Sequence, residues 1–220
     1  MIFVNFKTYP EATGKRAVDL ALACQKAQKT TGIAVVPCVE AADIRTVAKA
    51  VDLPVWAQHI DPVKPPHECG ATGFITAYQV FKARAKGTLL NHSEHPLEAA
   101  QLKLAVQLAK DEGLKTLVFV KNLDWARQAG KLKPEYLALE EPSLIAGGKA
   151  MVEVAEEKEK VRAFFKLNLD SLLLIGAGIS RRQDVIESVR LGAKGVVVSS
   201  AVVLADDPQK VVEDLALGFK

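Results

Sequence analysis

Residues 172–200, LLLIGAGISRRQDVIESVRLGAKGVVVSS, hold the pattern that decides the fold. An apolar run at 172–176 comes first, then a stretch at 183–191 with apolar residues every three or four positions, then a second apolar run at 195–199. Neither run alternates with polar residues, so neither keeps a face for water, as expected of strands buried on both sides of a parallel sheet. Gly192 follows the helical stretch, where a left-handed residue often ends a helix. Strand, helix and parallel strand together make one right-handed crossover unit.

The same unit recurs outward along the chain. Further strand candidates are residues 2–6, 33–37, 55–58, 88–91, 116–120 and 136–140, and helical spacing is clear over 15–28, 97–111 and 208–217. Gly32 and Gly113 follow helices as Gly192 does. Eight such pairs favour closure into a parallel (β/α)8 barrel, with an open doubly wound sheet as the alternative. A chain of 220 residues suits one such domain over 1–220. The Pro- and Gly-containing loop at 61–73 is its longest interruption and is expected to project as an interaction loop.

Composition narrows the function. With 49% hydrophobic and 25% charged residues the chain has the make-up of a soluble globular protein. Its 29 basic and 26 acidic side chains are interspersed, which argues against a nucleic-acid partner. The N-terminus lacks a signal-peptide pattern and no run reaches the ~18 apolar residues of a membrane span, so a cytoplasmic protein is expected. Cys24, Cys38 and Cys69 lack disulfide-framework or zinc-site spacing and are expected to be reduced thiols. His59, Asp61, His67 and Cys69 have ligand chemistry, but their spacing matches no standard site, so neither metal nor other cofactor is expected.

Functional groups of such barrels gather at the C-terminal ends of strands. The first strand ends Asn5-Phe6-Lys7, and alternation places Asn5 and Lys7 on one side. Taken alone, Lys7 fits a solvated strand-end lysine better than a catalytic one. The fourth ends Asn91-His92-Ser93-Glu94, where Asn and Ser suit a helical turn whose N-terminal amides would keep the imidazole neutral. A lone strand-end histidine is more often structural. The sixth ends Glu140-Glu141-Pro142 before Ser143-Leu144-Ile145-Ala146-Gly147-Gly148, a composition that suits a closing lid over a carboxylate. Parity puts Glu140 with Tyr136 and Ala138, and Glu141 with Leu137 and Leu139; a solvated Glu pair is the ordinary alternative. Gly176-Ala177-Gly178-Ile179-Ser180 and Val198-Ser199-Ser200-Ala201 can turn backbone amides toward an anion.

Five blocks, Asn5-Phe6-Lys7-Thr8-Tyr9, Ala57-Gln58-His59-Ile60-Asp61-Pro62, Leu90-Asn91-His92-Ser93-Glu94, the strand-six glutamate and Gly176-Ala177-Gly178-Ile179-Ser180, resemble the triosephosphate isomerase family in its shortened archaeal-type branch. They occur in the family's order and span essentially the whole chain. The resemblance implies an aldose–ketose isomerase of glycolysis and gluconeogenesis that interconverts glyceraldehyde 3-phosphate and dihydroxyacetone phosphate. Glu140 would be the base, His92 the neutral electrophile and Lys7 the cation, with Asn5 positioning substrate and Glu94 pairing with Lys7. Phosphate would be held near Ile145, Gly148, Gly178, Ser199 and Ser200. Thr72, in the segment 69–73 that reaches a neighbouring subunit in the family, would brace the partner's site, implying a homotetramer or, second, a homodimer. Three departures stand out: Glu141 where proline usually follows the base, the lid Ala146-Gly147-Gly148-Lys149, and Ala201 where glycine is common. Two other functions fit the phosphate cradle alone: an isomerase or epimerase of a longer sugar phosphate, and a non-catalytic phosphometabolite-binding barrel.

Overall fold

The computed structural model describes residues 1–64, 72–140 and 155–220. Eight strands, β1 (Ile2–Asn5), β2 (Val35–Val39), β3 (Trp56–Ala57), β4 (Gly87–Leu90), β5 (Lys115–Val120), β6 (Tyr136–Leu139), β7 (Leu172–Ile175) and β8 (Gly195–Val198), pair in sequence order and all in parallel. Pairing of β1 with β8 closes the ring, so the expected barrel is formed and the open sheet is excluded.

Helices α1 (Lys15–Thr31), α2 (Ile44–Ala50), α3 (Ala77–Lys82), α4 (Ala99–Asp111), α5 (Leu123–Gly130), α6 (Ala155–Phe165), α7 (Arg182–Leu191), α8 (Ser200–Val203) and α9 (Pro208–Leu217) fall between or after the strands. No helix among the described residues is long and apolar enough to cross a membrane.

Period-two alternation divides the strands between two cores. Phe3, Trp56, Leu89, Leu117, Phe119, Tyr136, Ala138, Leu174 and Val197 fill the barrel interior, with Phe3, Trp56 and Tyr136 packed edge-to-face at 5.1–5.8 Å between ring centres. Their neighbours Ile2, Val4, Leu137, Leu139, Ile175 and Val196 face the helices. The uniformly apolar runs are thus apolar because both faces are dry.

Several boundaries differ from the sequence expectation. The second strand lies at Val35–Val39, two residues beyond the predicted 33–37, because α1 continues to Thr31 and ends at Gly32 in the left-handed region (φ 74°). Gln28 Oε1 then accepts the Val35 N–H at 2.8 Å and fixes where the strand begins. The third strand keeps only two of its expected four residues. Helix α4 starts at Ala99, behind its N-cap Glu98, rather than at residue 97. Helices α7 and α9 match their predicted spans within one residue. Cys24 and Cys38 are buried free thiols, as expected, while Cys69 lies outside the described residues.

Candidate active site

The C-terminal ends of β1, β4, β6, β7 and β8 open on one cavity, lined by Asn5, Lys7, His92, Glu140, residues 176–180 and residues 197–201. Phe119 packs edge-on against the His92 ring at 4.8 Å between centres, giving that wall an apolar backing.

Lys7 reaches the cavity by a different route from the one predicted. Strand β1 ends at Asn5, and Lys7 takes a left-handed backbone conformation (φ 48°) instead of extending the strand. The buried Asn5 supplies the reason: its Oδ1 accepts the Lys7 N–H at 3.1 Å. On the other side Gln58 Nε2 donates to the Lys7 carbonyl at 2.8 Å, a role not foreseen for Gln58. The side chain then crosses to Glu94, with Nζ 2.7 Å from Oε1. That pair links residues 87 positions apart.

No helix starts directly after His92, contrary to the expectation. Residues 92–95 form one turn, with the His95 N–H on the His92 carbonyl at 2.8 Å, and Asn91 Oδ1 accepts the Leu97 N–H at 2.9 Å. Pro96 disfavours helical backbone at the residue before it, which pushes the helix start back to α4. The turn still sets the imidazole. The Glu94 backbone N–H donates to His92 Nδ1 at 3.1 Å, which requires a lone pair there and leaves the proton on Nε2. Glu94 Oε2 is 3.6 Å from the same nitrogen, beyond hydrogen-bonding range.

Glu140 follows β6 with the parity read from the sequence, and only 3% of its surface is exposed. Its Oε1 is 3.1 Å from His92 Nε2, and its Oε2 accepts the Ser93 N–H at 3.1 Å. The Ser93 amide therefore holds the buried carboxylate against the His92 turn, with the imidazole beside it.

Across the cavity, Gly178 sits at φ 73° and Ser199 precedes the short helix α8. The buried Ser199 Oγ has no hydrogen-bond partner among the described residues. Asp184, 1% exposed, accepts the N–H groups of Ser180 and Arg181 on Oδ2, both at 2.9 Å, and so shapes the turn after β7. Asp184 was also not singled out from the sequence; its cue was an acidic residue in the first turn of a helix. Thr72 is exposed and does not line the cavity, whereas Glu141, Ile145, Gly148 and Lys149 lie outside the described residues.

A second cavity shares Asn5, Lys7 and His92 with the first and extends to Glu94, His59 and His95. Burial, then the neighbouring His95, holds the His59 imidazole below its ordinary range, against the opposing pull of Asp61.

The sequence pattern of the family described as triosephosphate isomerase matches residues 1–215. The chain belongs to that family. It is 36% identical over 219 residues to the triosephosphate isomerase of Methanocaldococcus jannaschii, covering 98% of each chain. It is 40% identical over 225 residues to that of Methanopyrus kandleri, covering 100% of this chain and 97% of the relative. Both relatives are archaeal, as the resemblance implied. Among solved structures, the triosephosphate isomerase of Bartonella henselae superposes with a TM-score of 0.74 over 99% of this chain and 98% of the other. At 15% identity that likeness speaks for the barrel alone.

Proposed function

We propose that the protein is a triosephosphate isomerase, interconverting glyceraldehyde 3-phosphate and dihydroxyacetone phosphate through an enediolate. One observation carries the reading: a lysine, an imidazole with its proton on Nε2 and a buried carboxylate, from three distant strand ends, line one cavity opposite the loops after β7 and β8.

In this mechanism the phosphate lies against the amides around Gly178, Ser199 and Ser200, and the family resemblance adds Ile145 and Gly148 as further contacts. The first residues of a helix have N–H groups without intrahelical partners, and the buried Ser199 hydroxyl adds another donor. Lys7, steadied by Asn5 and Glu94, places its cation beside the phosphate and the developing oxyanion. Glu140 takes a proton from the carbon beside the carbonyl, and His92 Nε2–H donates to the oxygen that gains charge. A proton then passes from the other enediolate oxygen to the charged one, by way of His92, and return of the abstracted proton to the neighbouring carbon completes the isomerisation.

The position of Glu140 against the His92 turn constrains the order of events. With Oε1 3.1 Å from Nε2 and Oε2 held by the Ser93 amide, the carboxylate must turn away from His92 and Ser93 for substrate to fit between base and electrophile. Dry closure would then strengthen each electrostatic contact.

The test is a coupled isomerase assay on purified protein. Wild type is expected to turn over glyceraldehyde 3-phosphate, and Glu140→Gln to lose about 10²–10⁴-fold in kcat. Wild-type turnover in Glu140→Gln would sink the mechanism.

The chain is further expected to self-associate, as a homotetramer before a homodimer. Supporting this, Phe74, Tyr78 and Phe81 expose 43%, 56% and 41% of their surfaces along the segment that follows Thr72. Light scattering that finds only monomer at micromolar protein would exclude it.

A further inference from the structure

We infer that His59, Asp61 and His95 form a binding site for a divalent first-row transition metal ion, tying the loop after β3 to the catalytic turn after β4. The observation is independent of the isomerase reading. One ligand atom from each of the three residues lies within 4.8 Å of the other two, and His59 Nε2 is 3.2 Å from Asp61 Oδ1. A metal bound at 2.0–2.2 Å in tetrahedral geometry needs donors about 3.3 Å apart. The first pair has that separation, and the exposed His95 brings its ligand atom within 4.8 Å of both.

The donors are set up for it. Asp61 Oδ2 accepts the Ile75 N–H at 2.6 Å while the Asp61 N–H donates to the Ile75 carbonyl at 2.8 Å, which leaves Oδ1 turned to His59. A ligating carboxylate held by a backbone amide on its other oxygen is the usual supporting arrangement in metal sites. The His59 and His95 rings lie 4.0 Å apart, tilted by 34°. Two imidazoles and one carboxylate suit zinc, nickel or copper, and an exposed third ligand leaves a fourth position to water. Spacing along the chain missed the set because His95 comes from the loop after the next strand, beside Glu94, and not from the segment that holds His67 and Cys69.

The consequence is local. His95 closes the turn on the His92 carbonyl, so an ion on His95 and Asp61 braces the turn that also carries Glu94.

The experiment is calorimetric titration of Zn²⁺ into tag-free full-length protein in a non-chelating buffer, with thermal unfolding followed alongside. One Zn²⁺ per chain is expected, with a midpoint that rises with Zn²⁺ concentration. His95→Asn, on the exposed side, is expected to keep the metal-free midpoint and weaken binding by about tenfold or more. His59→Asn should weaken it likewise. Absence of binding at millimolar Zn²⁺, or equal affinity in wild type and His95→Asn, overturns the site and leaves His59–Asp61 a plain hydrogen-bonded pair under a stacked ring.

Discussion

Lys7 shows what single residues decide. Nothing in a lysine at a strand end distinguishes a solvated side chain from a catalytic one; the difference lies in Asn5, Gln58 and Glu94, which fix its amide, its carbonyl and its ammonium. Glu94 is 54% exposed, so the ion pair itself adds less than about 1 kcal/mol to stability. Its use is positional. Glu94→Gln is therefore expected to leave the unfolding midpoint nearly unchanged while kcat/KM falls roughly tenfold or more, because a released ammonium samples positions away from substrate. An equal loss of stability and activity would contradict that division. The buried thiols make a second residue-scale prediction. Burial pushes Cys24 up from an ordinary 9.0 to about 12, and Cys38 well above its ordinary value. Below pH 9.0 folded and unfolded chains both keep these protons and the thiols add no pH dependence. Above it the unfolded chain loses them first, so stability falls with rising pH, by about 1.4 kcal/mol per pH unit per thiol, until Cys24 ionises in the fold near 12. Urea midpoints at about pH 8 and about pH 10.5 should drop more in wild type than in Cys24→Ala.

At the scale of elements, the site depends on how helices begin. The turn after β7, which lines the cavity, is held by a side chain of α7, since Asp184 receives two of the turn's amides while buried. Asp184→Ala strands both donors and is expected to cost about 1–3 kcal/mol of stability. The loosened turn should also raise KM for the triose phosphate, with partial recovery in Asp184→Asn. Unchanged KM in the alanine variant would mean that this turn does not shape the anion site. The turn at His92 teaches the complementary lesson. Residues with cap chemistry, Asn91 and Ser93, predicted a helix start, but Pro96 and the Asn91–Leu97 hydrogen bond fold the segment back first. The imidazole still receives an amide, from a turn instead of a helix.

For the whole molecule, closure of the barrel ties packing at one end to geometry at the other. Gly87 opens β4 beside Trp56, and a methyl group there would fall 2.5 Å from the indole. Gly87→Ala is expected to cost about 1–3 kcal/mol through overpacking of the interior. Because Trp56 packs with Phe3 and Tyr136 below the cavity, KM should change little; a large KM effect with no loss of stability would refute this. The fold was readable from sequence because it rests on local signals, apolar runs without a wet face and helical spacing between them, repeated eight times. Strand positions 33–37 slipped because the end of a helix depends on where Gly32 sits relative to the packing of α1, which periodicity does not report. Local patterns along the chain were enough for the barrel and, through parity, for Glu140 and Asn5 at its mouth. The left-handed turn at Lys7, the Nε2 proton of His92, the bracing by Gln58 and Asp184 and the meeting of His59 with His95 emerged with the folded chain. Gln58 and His95 meet their partners because ring closure brings loops distant along the chain together, while the Lys7, His92 and Asp184 contacts span two to four residues and depend on turn geometry that periodicity does not report.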